Sequence, residues 1–193
     1  MLICNLQYFG GRGGAATRSV EGMTDESVYE DYFEYENAQL MKEYSRTGRM
    51  PSEDINGRKL SRDEKNKLKA EADYISGRAK ATDERTLYRG MVMSESEARA
   101  LNVGDTYTID SLTSTSTDKS ISSIYSNVDN AFGVENPVPV MLTFQSSKGI
   151  VGFQPNKETP EVILTKGQQY RVVRNWMDKD GIVHIELYKK GRK

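Results

Sequence analysis

Residues 25 to about 47 contain no proline or glycine, and Val28, Tyr32, Tyr35 and Leu40 recur at roughly helical spacing. This pattern predicts an amphipathic helix capped by Asp25 and ended by Gly48 and Pro51. Ser61 and Glu64 are spaced as a capping box, in which each side chain satisfies a backbone N–H near the other. A second helix is therefore expected from Ser61 toward Ser76, with Gly77 as its stop. Ser94 and Glu97 repeat the signature for a third, short helix. After residue 85 the character changes. Segments 87–88, 107–109, 138–144, 150–153, 162–164, 170–173 and 182–187 read as short strands, with a helix near 118–125 among them. Asp178-Lys179-Asp180-Gly181 has the composition of a hairpin turn between the last two strands. Helices first and strands after argue for an α+β fold rather than alternating α/β.

Residues 10–19 (GGRGGAATRS) are small and glycine-rich, and bury too little surface to order themselves. The expected organisation is an arm over 1–22, a helical region over 23–80 packed on or capping the core, and a core over 81–193. No internal repeat is visible.

Composition narrows the class. The chain has 193 residues, 27 Lys and Arg against 28 Asp and Glu, and a net charge of −1. It is long enough to bury a core without staples. The absence of a basic excess argues against nucleic acid as the main partner. Lys65, Lys67 and Lys69 alternate with acids and read as a solvated helix face. The single cysteine, Cys4, cannot form an internal disulfide. No apolar run reaches the length of a membrane span, and the start lacks a basic leader, which predicts a protein of the cytosol where it is made.

Three places could carry chemistry. In Leu87-Tyr88-Arg89-Gly90 an arginine ends a short predicted strand, and its fork of donors suits two phosphate oxygens. A surface arginine beside a turn has the same appearance. Between Asp110 and Asp118 stand six hydroxyl residues, Ser111 and Thr113 through Thr117. Alternating hydroxyls in a strand reach both faces, where they can orient a carboxylate or a ribose. A polar edge strand would look similar. Asp118 or Thr117 would cap the following helix. Glu161 opens the apolar segment Val162-Ile163-Leu164, a position suited to work at a sheet edge and also common for an exposed glutamate.

Taken in order, Arg89 after a strand, then Ser114-Thr115-Ser116, then Glu161 opening a strand resemble the R-S-E class of ADP-ribosyltransferases. Val103-Gly104-Asp105-Thr106-Tyr107, Ser116-Thr117-Asp118-Lys119-Ser120, and Glu161 through Gly167 followed by Tyr170-Arg171-Val172-Val173 extend the resemblance over about residues 85–188. It implies a mixed, mainly antiparallel two-sheet core that uses NAD as co-substrate and needs no metal. It gives Arg89 the NAD diphosphate or its adjoining ribose, and Gly90 a backbone approach to the nicotinamide amide. Ser114 would hold Glu161 and shape the nicotinamide pocket, with Thr115 and Ser116 supporting the strand. Glu161 would accept a bond from the nicotinamide-ribose hydroxyl. Loss of nicotinamide leaves an oxocarbenium-like ribose, and a fixed carboxylate stabilises charge that develops only in the transition state. Removing Glu161 should cost roughly 10²–10³ in rate.

One departure bears on the acceptor. Many members of the class carry Glu or Gln two residues before the glutamate, where this chain has Thr159 followed by Pro160, with Glu158 one position further back. Pro160 restricts Thr159. Segment 148–160, with Thr159, Glu158 and Phe153, is the expected acceptor-recognition loop. Phe153 reads equally as an exposed contact or as a core aromatic. His184, the single histidine, reads as structural or exposed. Residues 5–14 (NLQYFGGRGG) resemble the opening of phage late-gene structural proteins, which suggests phage or prophage origin and a bacterial cytoplasm or virion. Three readings follow: transfer of ADP-ribose to a protein acceptor, a non-enzymatic phage structural protein on the same scaffold, or an NAD glycohydrolase.

Overall fold

The structure, a computed structural model, describes residues 35–54, 57–128, 133–155 and 160–189. The glycine-rich arm, its phage-like opening, Cys4, Asp25, Val28 and Tyr32 lie outside the described residues. Helix α1 (Tyr35–Thr47) ends where Gly48, at φ +72°, donates its N–H back to Tyr44 O at 2.8 Å. A left-handed glycine is the usual way to close a helix, because it has no Cβ to clash. Helix α2 (Arg62–Arg78) starts on Ser61, and its capping box with Glu64 is formed as expected. It runs through Gly77 instead of stopping there. Helix α3 (Glu95–Ala100) starts on Ser94 with the same box to Glu97. Asp118 caps the short helix α4 (Lys119–Ser123), and a 3-10 turn follows over Ile124–Ser126.

The strands are β1 (Lys80–Ala81), β2 (Thr86–Ser94), β3 (Thr106–Thr108), β4 (Thr113–Ser116), β5 (Pro137–Ser146), β6 (Val151–Gly152), β7 (Glu161–Leu164), β8 (Gln169–Met177) and β9 (Val183–Lys189). They form a seven-stranded sheet in the order β3-β8-β9-β5-β2-β4-β7, and a small β1-β6 sheet. Of the adjacent pairs in the large sheet only β5 and β9 run parallel. The fold is α+β, as the order of elements predicts. The hairpin turn forms at Asp178, whose N–H bonds Ile182 O at 2.9 Å. His184 is structural: its Nε2 lies 2.7 Å from Asp178 Oδ2, and its ring stacks on Trp176 at 5.0 Å.

Two apolar cores flank the sheet. The first gathers Leu87, Leu142, Phe144, Val162, Leu164, Tyr170 and Leu187, with Phe144 and Tyr170 edge to face at 5.1 Å. The second joins the helices to the far strands: Ala38, Met41, Leu68 and Ile75 pack with Leu112, Phe153 and Ile163. Alternation along β7 thus sends Val162 and Leu164 to one side and Ile163 to the other. Glu161, two residues before Ile163, lies on the helical side. Among the described residues no helix is long and apolar enough to cross a membrane.

Candidate active site

The three sequence candidates converge across neighbouring strands. Glu161 opens β7 and pairs with Ser116 on β4, while Ile163 pairs with Ser114. Ile163 gives both its backbone N–H and its C=O to Phe153. Antiparallel strands bond alternately to either side, so the backbone groups of Ser114 face β2. There the ladder opens: β2 meets β4 only at Tyr88 and Ser116. Arg89 fills the gap, its Nη1 donating to Ser114 O at 2.6 Å. The Ser114 hydroxyl donates to Glu161 Oε1. Thr115 Oγ1 donates to Val162 O at 2.6 Å, which clips β4 to β7. Ser116 Oγ accepts Asp118 N–H at 3.0 Å at the exit toward α4. Residues 89, 114 and 161, far apart in the chain, thus form one connected polar set.

The set is dry. Glu161 is fully buried, Ser114 is 2% exposed and Arg89 6%. Glu161 Oε2 has no hydrogen-bond partner. Burial pushes the Glu161 carboxyl up to about 8, against the opposing pull of the Ser114 hydroxyl and the Arg89 charge. Burial thus favours the protonated form of this glutamate. Such a perturbed carboxyl beside a hydroxyl and a cation is the pattern expected of a functional site.

Several expectations change in detail. Arg89 does not end a short strand: β2 continues to Ser94, and Arg89 sits in its middle opposite Leu142. Its guanidinium is engaged with Ser114 and not held out at an open turn. Glu161 is not exposed, because β4 flanks β7 on one side and Phe153 pairs with it on the other. Phe153 is not an exposed acceptor contact. It is 3% exposed, packs edge to face on Tyr74 at 6.2 Å, and belongs to the helical core. Glu158 and Thr159 lie outside the described residues. Gly90 has a packing reason of its own: an added Cβ would stand 1.8 Å from Ser122 O and 2.8 Å from Ser122 C, so helix α4 rests directly on β2. Ser122 Oγ also donates to Tyr88 O at 3.0 Å. Ser122 carries no sequence signal, since its partners are more than thirty residues away. Among the described residues no three His, Cys, Asp or Glu side chains gather as a metal site.

The fold has counterparts among solved structures. The chain is similar to the Vis toxin, an ADP-ribosyltransferase from Vibrio splendidus, with TM-score 0.62 and 17% identity over 88% of this chain and 75% of that one. It is similar to exoenzyme S from Pseudomonas aeruginosa, solved with human 14-3-3 protein beta and carba-NAD, with TM-score 0.56 and 14% identity over 85% and 72%. The Clostridium limosum C3 exoenzyme gives TM-score 0.51 and 15% identity over 85% and 83%. The chain has the ADP-ribosyltransferase fold. No protein-family model matches the sequence, and no curated protein does. Within this fold Arg89, Ser114 and Glu161 occupy three neighbouring strands where the β2–β4 ladder is reduced to one pair. The helical core, through Leu112, Phe153 and Ile163, lies on the same side as Glu161.

Proposed function

We propose that this protein is a mono-ADP-ribosyltransferase that cleaves the nicotinamide–ribose bond of NAD and passes ADP-ribose to a protein acceptor. The observation that carries the reading is the buried Ser114–Glu161 pair, held on adjacent strands with one carboxyl oxygen unpartnered. A buried polar atom without a partner is uncommon and invites a donor. A ribose hydroxyl fits it. NAD, as co-substrate, supplies a ribose that becomes cationic when nicotinamide leaves with the bonding electron pair.

The residues then divide the work. Glu161, ionised, stabilises the developing charge and accepts from the ribose hydroxyl. Ser114 fixes the carboxylate before the reaction, so that little reorganisation is needed at the transition state. Arg89 binds the diphosphate or its adjoining ribose, and its hold on Ser114 O sets the spacing of β2 and β4. Gly90, which has no Cβ, lets helix α4 rest on β2 beside it. Thr115 and Ser116 fix the serine strand and its exit. The acceptor nucleophile bonds to the ribose carbon and loses its proton. Glu158 and Thr159, just ahead of the glutamate strand in the sequence, are where the acceptor would be recognised.

Thr159 in place of Glu or Gln two residues before Glu161 favours a second reading, hydrolysis of NAD with water as acceptor. Tagged NAD, incubated with the purified protein and a bacterial lysate, separates the two. Tagged protein bands and nicotinamide release, both absent from Glu161→Ala, are expected. Nicotinamide release without tagged bands would identify a glycohydrolase. Neither signal from a folded wild-type protein would overturn both.

A further inference from the structure

The last turn of helix α1 is tied to both strands of the site. Ser45 Oγ accepts the backbone N–H of Leu112 at 2.9 Å and donates to Lys42 O at 2.8 Å. One residue on, Arg46 O accepts from Lys166 Nζ at 2.7 Å. Leu112 stands two residues before Ser114. Lys166 lies in the turn that follows the glutamate strand. Between the two ties runs a dry seam, in which Leu112 and Ile163 pack with Ala38 and Met41 of α1. Ile163 is the register partner of Ser114.

The serine strand needs such a hold. Toward β2 it is paired only at Ser116. The Leu112 N–H belongs to a residue that is 1% exposed, and a buried donor must find an acceptor. Its partner here is a side chain of α1, so the position of the helix is passed to the strand. The other tie uses a free carbonyl at the C-terminal end of the helix, where a lysine is favoured.

We propose that Ser45 is a positioning residue for the catalytic pair: the last turn of α1, through Ser45 and the Arg46 carbonyl, holds β4 and β7 in the relation at which the Ser114 hydroxyl meets Glu161. The inference rests on the NAD-cleaving reading. It gives the N-terminal helices a part in catalysis besides packing. Displacements of about 1 Å at a preorganised site cost on the order of 10²-fold in rate, so a partial loosening should cost about tenfold.

The test compares wild type, Ser45→Ala, Ser45→Thr and Lys166→Met. Nicotinamide release from NAD gives kcat and KM, and carboxyl-carbon NMR follows the titration of Glu161. Ser45→Ala should lower kcat about tenfold and leave KM for NAD within about twofold. Its Glu161 titration should move to higher pH, because the carboxylate loses part of its bond from Ser114. Ser45→Thr, which keeps the hydroxyl, should restore both. Lys166→Met, at an exposed tie, should lower kcat by about twofold at most. An active wild type with unchanged kcat and unchanged Glu161 titration in folded Ser45→Ala would overturn the proposal. A wild type that releases no nicotinamide would instead overturn the function. The titration still judges the positioning in that case: a shift in Ser45→Ala supports it, and no shift refutes it.

Discussion

The two halves of the large sheet are built differently. Strand β5 pairs with β2 along the whole of Thr86–Ser94 and with β9 from Val140 to Ser146. Its inward residues are Leu142 and Phe144, both fully buried among other apolar side chains. On the other side of β2 the ladder is reduced to Tyr88 and Ser116, and beside the apolar Val162, Ile163 and Leu164 the buried residues include the polar Arg89, Ser114, Thr115, Ser116 and Glu161. One half removes apolar surface from water, and that stabilises the fold. The other half spends stability: it buries a carboxyl with an unpartnered oxygen and an arginine that bridges an open seam. Groups with these properties persist where chemistry requires them. The continuous half makes the split half possible, since Arg89 projects from the strand they share.

Three perturbations sharpen the contrast. The largest effect is expected in the continuous half. Phe144→Ala should destabilise by about 3–5 kcal/mol, read by denaturant unfolding, since it empties the centre of the sheet core. The same variant, kept folded at low temperature, should leave the titration of Glu161 in place. If Phe144→Ala moved that titration while unfolding normally, the two halves would not be separable.

The next concerns pH. The Glu161 carboxyl rises from its ordinary value of 4.5 to about 8 in the fold. Between these values the folded chain keeps a proton that the unfolded chain releases. Stability from this group therefore falls as pH rises through 4.5 to 8 and levels off above, by on the order of a few kcal/mol. Thermal unfolding of wild type and Glu161→Gln should show a difference between them that changes with pH inside this window, wild type losing stability relative to the variant as pH rises, and that is constant on either side of it. A wild-type profile parallel to that of Glu161→Gln would contradict the burial argument. Activity should run the other way. If the carboxylate form is required, kcat/KM rises with pH toward a limb near 8.

The smallest effect lies at the shared strand. Gly90→Ala would drive a Cβ into the Ser122 carbonyl, which is backbone and cannot rotate away. We expect about 1–3 kcal/mol of destabilisation together with a loss of nicotinamide release, as helix α4 shifts against β2. Full activity with unchanged stability would mean that α4 moves without consequence for Arg89.

The sequence disclosed what is local. The capping boxes at Ser61 and Ser94, the Gly48 stop and the Asp178–Gly181 turn each depend on residues within a few positions of each other, and all four formed. Arg89, Ser114 and Glu161 were visible as candidates because their order along the chain resembles a known class. Their burial was not visible, because it is set by strands that meet from distant segments. Phe153 shows the same limit: one aromatic in a predicted strand suits a loop or a core, and only its pairing with Ile163 and contact with Tyr74 decide. Ser45, Ser122 and the β1-β6 pair had no local signature. Their partners lie 67, 34 and about 70 residues away.

The central claim is that Glu161, held by Ser114, cleaves NAD. Its most direct test is nicotinamide release by purified wild type and by Glu161→Gln, which keeps the shape and removes the charge. The account predicts a loss of roughly 10²–10³ in kcat with KM for NAD little changed and the fold intact. Equal release by the two proteins would contradict it, and would place the chemistry elsewhere in the molecule.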